Sequence, residues 1–450
     1  MKSWSELRAH AALLLAPVTA FGAVVGGDLV TPHEAWREVP MPPGFQVVIT
    51  ETEGPLFADA EGRTLYKWPH HKHRNGYSGE TPGNPACYDE VITVTAGLMS
   101  PYPPGIELPE VEQRPSCAEL WPPVLAAADD LGVGDWSIIE RRDGTLQWAY
   151  EEQPLYRSIR DAQPGDVLGG TRRRYGGDSP AYRVPVSPPP LLPPGFQIRT
   201  TSIGRMLATD RARAVYAYAG DPDDCTDGCG ENFEPLIAPA LARAQGEWAP
   251  VERAPGMLQW SFRGAPLFTY ALDQESWGQQ GSDIPGWRNV FTQRAPALPE
   301  RFTVQETLAG EVLASPEGRT IYLYYCGEDS ADQLACDHPG DTQVYRLAMC
   351  GGGDPERCAE YWPYVEASPG EESTSRTWSI VTIDPRTGRF AADGAPGSKR
   401  VWAYRDRPVY TFGQDKKPGD VNGGGTGEWR GQRNGLRAFW LRDDFMRGIL

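Results

Sequence analysis

Thr64-Leu65-Tyr66-Lys67-Trp68, Ala214-Val215-Tyr216-Ala217-Tyr218 and Thr320-Ile321-Tyr322-Leu323-Tyr324 are three runs of one design. Alternate residues on a β-strand share a face, so in each run the Tyr and the second aromatic point the same way. Upstream lie three matching openings, Pro42-Pro43-Gly44-Phe45-Gln46-Val47, Pro193-Pro194-Gly195-Phe196-Gln197-Ile198 and Pro299-Glu300-Arg301-Phe302-Thr303-Val304. Each reads as a turn followed by an alternating strand. Downstream, a cysteine precedes an aromatic and a proline: Cys117 with Trp121-Pro122-Pro123, Cys229 with Phe233 and Pro235, Cys358 with Trp362-Pro363. A lone tryptophan follows, at Trp136, Trp248 and Trp378. Each stretch closes on a hairpin pattern: Gln147-Trp148-Ala149-Tyr150 then Pro154-Leu155-Tyr156, Gln259-Trp260-Ser261-Phe262 then Pro266-Leu267-Phe268, Val401-Trp402-Ala403-Tyr404 then Pro408-Val409-Tyr410. Three residues separate the two runs, the spacing of a short hairpin loop.

Self-similarity at this scale predicts an all-β chain of three tandem antiparallel β-rich repeat domains, at 42–192, 193–297 and 298–450. Small sandwiches or a propeller-like array are the expected architectures. Each copy is expected to divide further into two half-units, since the aromatic pattern returns in Phe268-Thr269-Tyr270 and Tyr410-Thr411-Phe412. Pro-rich stretches at 187–194 and 293–299 serve as stiff linkers. The 50 Gly and 43 Pro residues favour short strands joined by turns, so helix is expected only at 117–128 and 234–244.

The first residues read as an export signal. Lys2 and Arg8 precede an apolar run from Ala11 to Val25, and Val18-Thr19-Ala20 fits the small-x-small pattern of a cleavage site, giving a signal peptide over 1–20. The alternative is an uncleaved membrane anchor; the run is shorter than the ~20 residues a spanning helix needs. No cysteine adjoins the run for lipid attachment. The protein is therefore expected in the periplasm or outside the cell.

Eight cysteines in an exported chain favour disulfides. Cys225 and Cys229, with three residues between them, read as a structural bridge rather than a redox dithiol or half a metal site. By repeat order Cys87 pairs with Cys117 and Cys350 with Cys358, leaving Cys326 for Cys336, although four cysteines in the last copy allow three pairings. No Cys-x-x-Cys-His is present for covalent haem. The formal charge of -17 repels phosphate backbones and anionic lipids, so nucleic acid is excluded as a partner.

These residues resemble the secreted repeat and predicted lipoprotein family marked by a Tyr-x-(Phe/Trp/Tyr)-x-x-Asp motif with a cysteine before Trp-Pro-Pro. The motif is read at Tyr216, Tyr218 and Asp221, at Phe268, Tyr270 and Asp273 with Phe in the first place, and at Tyr410, Phe412 and Asp415. Tyr66 and Trp68 keep the aromatics, but His71 stands in the Asp position; Tyr156 and Asp161 keep the ends, with Ser158 between them; Gly327 replaces the acid after Tyr322 and Tyr324. The resemblance implies architecture and compartment more than an activity.

The most distinctive non-repeated feature is Pro69-His70-His71-Lys72-His73. Imidazoles of His70, His71 and His73 on one loop are suited to Cu(II) or Zn(II), against the plainer reading of a polar loop without carboxylate ligands. The motif acids Asp161, Asp221, Asp273 and Asp415 could work as general acids or bases if paired and desolvated. Their recurrence just past strand ends instead predicts turn-formers that cap local amides. Gly423-Gly424-Gly425 reads as a flexible loop, and there is no Gly-x-Ser-x-Gly, phosphate loop or His-Glu-x-x-His. The function expected is an exported, non-catalytic binding or scaffold protein for an envelope protein or small ligand. Its rivals are a periplasmic metal-binding or redox accessory protein using the 70–73 loop, and an enzyme with its site between copies.

Overall fold

Apolar residues on both faces of a strand require core on both sides of the sheet, and the strand Gly54–Ala58 is buried throughout. Leu56 and Tyr66 pack with Trp121 and Tyr156, while Phe57 and Leu65, one residue on or back, pack with Trp136 and Trp148. The period of two thus divides one sheet between two clusters. The same split recurs at Met206 and Tyr216 against Leu207 and Val215, and at Val312 and Tyr322 against Leu313 and Ile321.

A computed structural model describes residues 33–68, 71–73, 76–78, 80–89, 116–170, 183–219, 230–273, 278–307, 310–325, 338–340, 350, 352, 354–426 and 435–442, with backbone alone at 71–73, 76–78 and 325. All belong to the unit His33–Leu450. The sheets are antiparallel and small, of two to five strands. The signal-peptide expectation lies outside the described residues. Among them, no helix is long and apolar enough to cross a membrane.

Three opening hairpins pair Gln46–Thr50 with Gly54–Ala58, Phe196–Thr201 with Gly204–Thr209, and Thr303–Thr307 with Gly310–Ala314. Each first strand ends in a threonine, Thr50, Thr201 or Thr307, whose hydroxyl donates to the carbonyl of the returning glycine at 2.8 Å. The chain turns back so that Leu65, Val215 and Ile321 donate their amides to Phe57, Leu207 and Leu313. The aromatic run that follows pairs with a late strand: Tyr66–Lys67 with Val184–Pro185, Tyr216–Tyr218 with Trp287–Asn289, and Tyr322–Tyr325 with Gly435–Ala438.

The closing patterns form three-stranded meanders. Trp136–Glu140, Leu146–Tyr150 and Gln153–Pro154 make the first; Trp248–Ala254, Met257–Phe262 and Ala265–Pro266 the second; Trp378–Ile383, Lys399–Tyr404 and Arg407–Tyr410 the third. The final loop is shorter than the three residues expected. Tyr150, Phe262 and Tyr404 already pair with Gln153, Ala265 and Arg407, leaving Glu151-Glu152, Arg263-Gly264 and Arg405-Asp406 as two-residue turns. All six turn residues have positive φ, from 49° to 80°, the twist that a two-residue hairpin needs. The lone tryptophans lie inside, with Phe45, Phe196 and Phe302 against Trp136, Trp248 and Trp378 at 4.7, 4.7 and 5.5 Å between ring centres.

Helix is scarcer than expected in one place and present in another. Cys117–Leu120 forms a single turn capped reciprocally by Ser116 and Glu119, and Pro122 and Pro123 prevent its extension to 128. The expected helix at 234–244 is instead Phe233–Pro235 and Ile237–Ala238, both strands, because Pro235 and Pro239 supply no amide donors and the strand Phe268–Tyr270 offers a ladder. Pro355–Tyr361 is a helix that the sequence reading omitted, capped by Asp354 with Pro in its first turn.

Candidate functional site: buried tyrosine–aspartate pairs

The motif tyrosines and acids meet across the fold rather than along the chain. The Tyr66 hydroxyl donates to Asp161 Oδ2 at 2.6 Å, Tyr216 to both Asp273 oxygens at 2.9 Å, and Tyr322 to Asp415 Oδ2 at 2.7 Å. Tyr66, Tyr216 and Tyr322 are all fully buried, and Asp161 and Asp415 are nearly so. The acids also accept from local amides, as the turn-former reading expects: Asp161 from Leu168, Asp273 from Gly281, Asp415 from Asn422. What that reading missed is the distant phenol.

Each pair has an aromatic wall and a glycine floor. Trp121, Phe233 and Trp362 stand edge-on to Tyr66, Tyr216 and Tyr322, at 5.3, 5.7 and 5.1 Å. Gly169, Gly281 and Gly423 lie against the same rings. A methyl group at Gly169 would come within 2.6 Å of Trp121 Cη2, at Gly281 within 2.7 Å of Tyr216 Cζ, and at Gly423 within 2.9 Å of Tyr322 Cζ. Asn422–Gly425 is accordingly a 3-10 turn rather than a flexible loop, with Gly423 buried and its amide donating to the Tyr322 hydroxyl at 3.1 Å.

A turn between acid and glycine holds this floor in place. Asp166 Oδ2 accepts from the Gln163 amide and Asp420 Oδ2 from those of Lys416 and Lys417. The carbonyls of Asp166 and Asp420 accept from the Thr64 and Thr320 hydroxyls, both at 2.6 Å. Pro164 and Pro418 pack on Gly62 and Gly318, which have φ of +81° and +78°, so side chains there would meet both a strained backbone and a ring.

Burial sets the electrostatics. Desolvation pushes Asp161 up to about 7 despite its Tyr66 and Leu168 donors, and Asp415 is raised for the same first reason. Burial, together with the neighbouring carboxylates, holds the Tyr66, Tyr216 and Tyr322 hydroxyls in their protonated form far above the usual range. The pairs therefore keep their phenolic protons, and with Asp161 and Asp415 enclosed they fasten segments that are distant in the chain.

In the N-terminal third a second pair mirrors the first. Tyr156 donates to Glu80, which also accepts the Ala86 amide at 2.8 Å and whose acidity is weakened by burial. Beside it, the buried Arg183 guanidinium lies 4.5, 4.9 and 5.0 Å from the ring centres of Trp68, Trp121 and Tyr156 and donates to Cys117 Sγ at 3.2 Å. In the register of the late strands Trp287 takes the place of Arg183, stacked on Phe233 at 3.5 Å, and Leu436 takes it in the last sheet. Glu80 and Arg183 carry no repeated signal, so the sequence did not single them out.

Trp68, Tyr218, Phe268, Tyr270, Tyr410 and Phe412 line the clusters around these pairs, with Tyr218 only partly buried. Disulfides join Cys87 to Cys117 and Cys350 to Cys358. Asp221, Cys225, Cys229, Cys326, Cys336 and His70 lie outside the described residues. His71 and His73 are described by backbone alone, in the strand His71–His73 paired with Gly76–Ser78. Among the described residues, no cluster of three or more His, Cys, Asp or Glu side chains is placed to hold a metal.

Two stretches, 137–170 and 394–431, match the model of a family described as a secreted repeat of unknown function. They cover most of the first meander and the last two strands of the third, with Asp161 and Asp415, the turns at Asp166 and Asp420 and the glycines at 169 and 423, so the match falls on the closing half of the buried pairs. This is the family the residues resembled. No curated protein and no solved structure matches the chain.

Proposed function

We propose that the chain is an exported, non-catalytic binding or scaffold protein of the periplasm or cell surface, built of three tandem copies at 42–192, 193–297 and 298–450. The observation that carries this reading is the enclosure of the motif: Asp161 and Asp415 are 3% and 1% exposed, under glycines that admit no side chain. A carboxylate so enclosed serves the fold, which leaves the loops between strands to meet a protein or small ligand. The secreted-repeat match supports the exported setting.

The test is metal analysis of tag-free protein recovered from the cell envelope, with thiol counts before and after reduction. Eight blocked cysteines and no stoichiometric metal support the reading. Copper or zinc at one per chain, lost in His70→Ala and His71→Ala variants, overturns it in favour of a metal-binding accessory protein.

A further inference from the structure

The first strands of the three meanders, Trp136–Glu140, Trp248–Ala254 and Trp378–Ile383, each lie at the edge of a sheet. An edge strand offers its outward amides and carbonyls to any passing chain, and natural sheets blunt or cover them. In the second meander the position two residues after the tryptophan is Pro250, which has no amide to offer. In the third, the Ile380 amide at that position donates to Ser373 Oγ at 2.9 Å, and the Thr382 carbonyl accepts the Ala391 amide at 2.9 Å. In the first meander the position is Ile138. There the Trp148 amide donates to Val124 on the far side, which turns Gln147 and Ala149 toward Ile139 and Ser137 and leaves Ile138 and Glu140 facing outward. Among the described residues no group meets their amides or carbonyls, whereas the Trp136 amide is taken by the Val133 carbonyl at 3.0 Å.

We propose that the edge at 138–140 is a docking site that takes an extended segment of a partner protein as an added antiparallel strand, one in which Lys or Arg alternates with apolar residues. Charge selects this partner. Exposed Asp135 and Glu140 bracket the open positions, and exposed Asp129 lies on the loop leading in. The neighbouring cations are engaged: Arg141 is buried on the Cys87 carbonyl and Gln147, and Arg142 stacks on the Tyr88 ring at 3.8 Å. A second copy of the chain would bring its own Glu140 and a charge of -17 against these carboxylates. Apolar contact is available at the entry, where Leu131 is 81% exposed beside Gly132, packed so closely on the Trp136 carbonyl that a methyl group there would come within 2.6 Å. Residues opposite one another share a face and neighbours alternate, so a cation beside Glu140 puts an apolar side chain beside Ile139. The edge gives the binding role proposed above a location and rests on that reading, but peptide binding decides the edge alone, while the metal and thiol counts decide the role.

Selection of peptides of about ten residues from a randomised display library on the full chain, followed by titration of the synthetic peptides, tests the proposal. The selected peptides are expected to alternate Val, Ile or Thr with Lys or Arg. Because the Ile138 amide points out of the sheet, Ile138→Pro removes it without breaking a ladder bond, as Pro250 does in the second meander. That variant is expected to bind the peptides about tenfold or more weakly, and Ile138→Ala, which keeps the amide, to lose less. An empty selection, peptides without the cationic alternation, or equal binding by the parent and Ile138→Pro overturns the proposal, as do equal losses in the Pro and Ala variants. A dimer in sedimentation that Ile138→Pro dissolves also overturns it, assigning the edge to a second copy. Should Ile138→Pro fail to fold, the exposed change Glu140→Lys decides: weakened binding supports the edge, and unchanged binding overturns it.

Discussion

Tyr66 and Tyr156 exchange both backbone hydrogen bonds at 2.8 Å, and each hands its hydroxyl to an acid that follows the other in the chain: Tyr66 to Asp161, Tyr156 to Glu80. This reciprocal crossing ties the opening and closing halves into one unit. In the central sheet the partner of Tyr216 is Phe268, which has no hydroxyl, so only one arm of the cross can form there.

Removing one phenol should leave its acid buried with a donor missing. Tyr322→Phe is expected to destabilise the protein by about 1–3 kcal/mol, read as a lower midpoint in urea unfolding with an unchanged slope. Phe268→Tyr, which restores the missing hydroxyl without an established acceptor, should give no comparable gain.

The glycine floor supplies an internal comparison. Gly423→Ala places a methyl group against Trp362 and Tyr322, an overpacking expected to cost about 1–3 kcal/mol. Gly424, one residue on, has open space at the corresponding point, and Gly424→Ala should stay within about 0.5 kcal/mol of the parent. Equal losses in thermal or denaturant unfolding would show that the contact with the rings is not what fixes Gly423.

Stability should also depend on pH through Asp161. Its folded value of about 7 lies above the ordinary Asp value near 3.9, so the folded state binds the extra proton. Its contribution is full below about pH 4 and is lost as pH rises to about 7, a change of order 4 kcal/mol. Subtracting the unfolding free energies of Asp161→Asn from those of the parent at each pH isolates this component; a difference that is constant with pH contradicts it.

The two disulfides should differ in worth. Cys87–Cys117 spans 30 positions and Cys350–Cys358 spans 8, so loop entropy assigns about 4 and about 2.5 kcal/mol to them. Paired Cys→Ser variants compared by denaturant unfolding should rank in that order, and the reverse ranking would count against an entropic origin.

The strands, meanders, buried tryptophans and recurrence of the aromatic runs were legible in the sequence, because period-two burial and turn residues act over a few neighbours. Pro235 and Pro239 could have been read against the helix expected at 234–244, for the same local reason. The partner of each tyrosine could not be read this way: Asp161 lies 95 positions from Tyr66, and its local caps are what a turn-former alone would show. Burial is a property of the assembled neighbours, so only the tertiary structure decided that Asp161 and Asp415 are enclosed, that Gly423 is a floor rather than part of a flexible loop, and that Arg183, Trp287 and Leu436 fill corresponding places. The sequence determined which segments become strands; the packing of distant segments determined which polar groups lose their water, and therefore what each of them does.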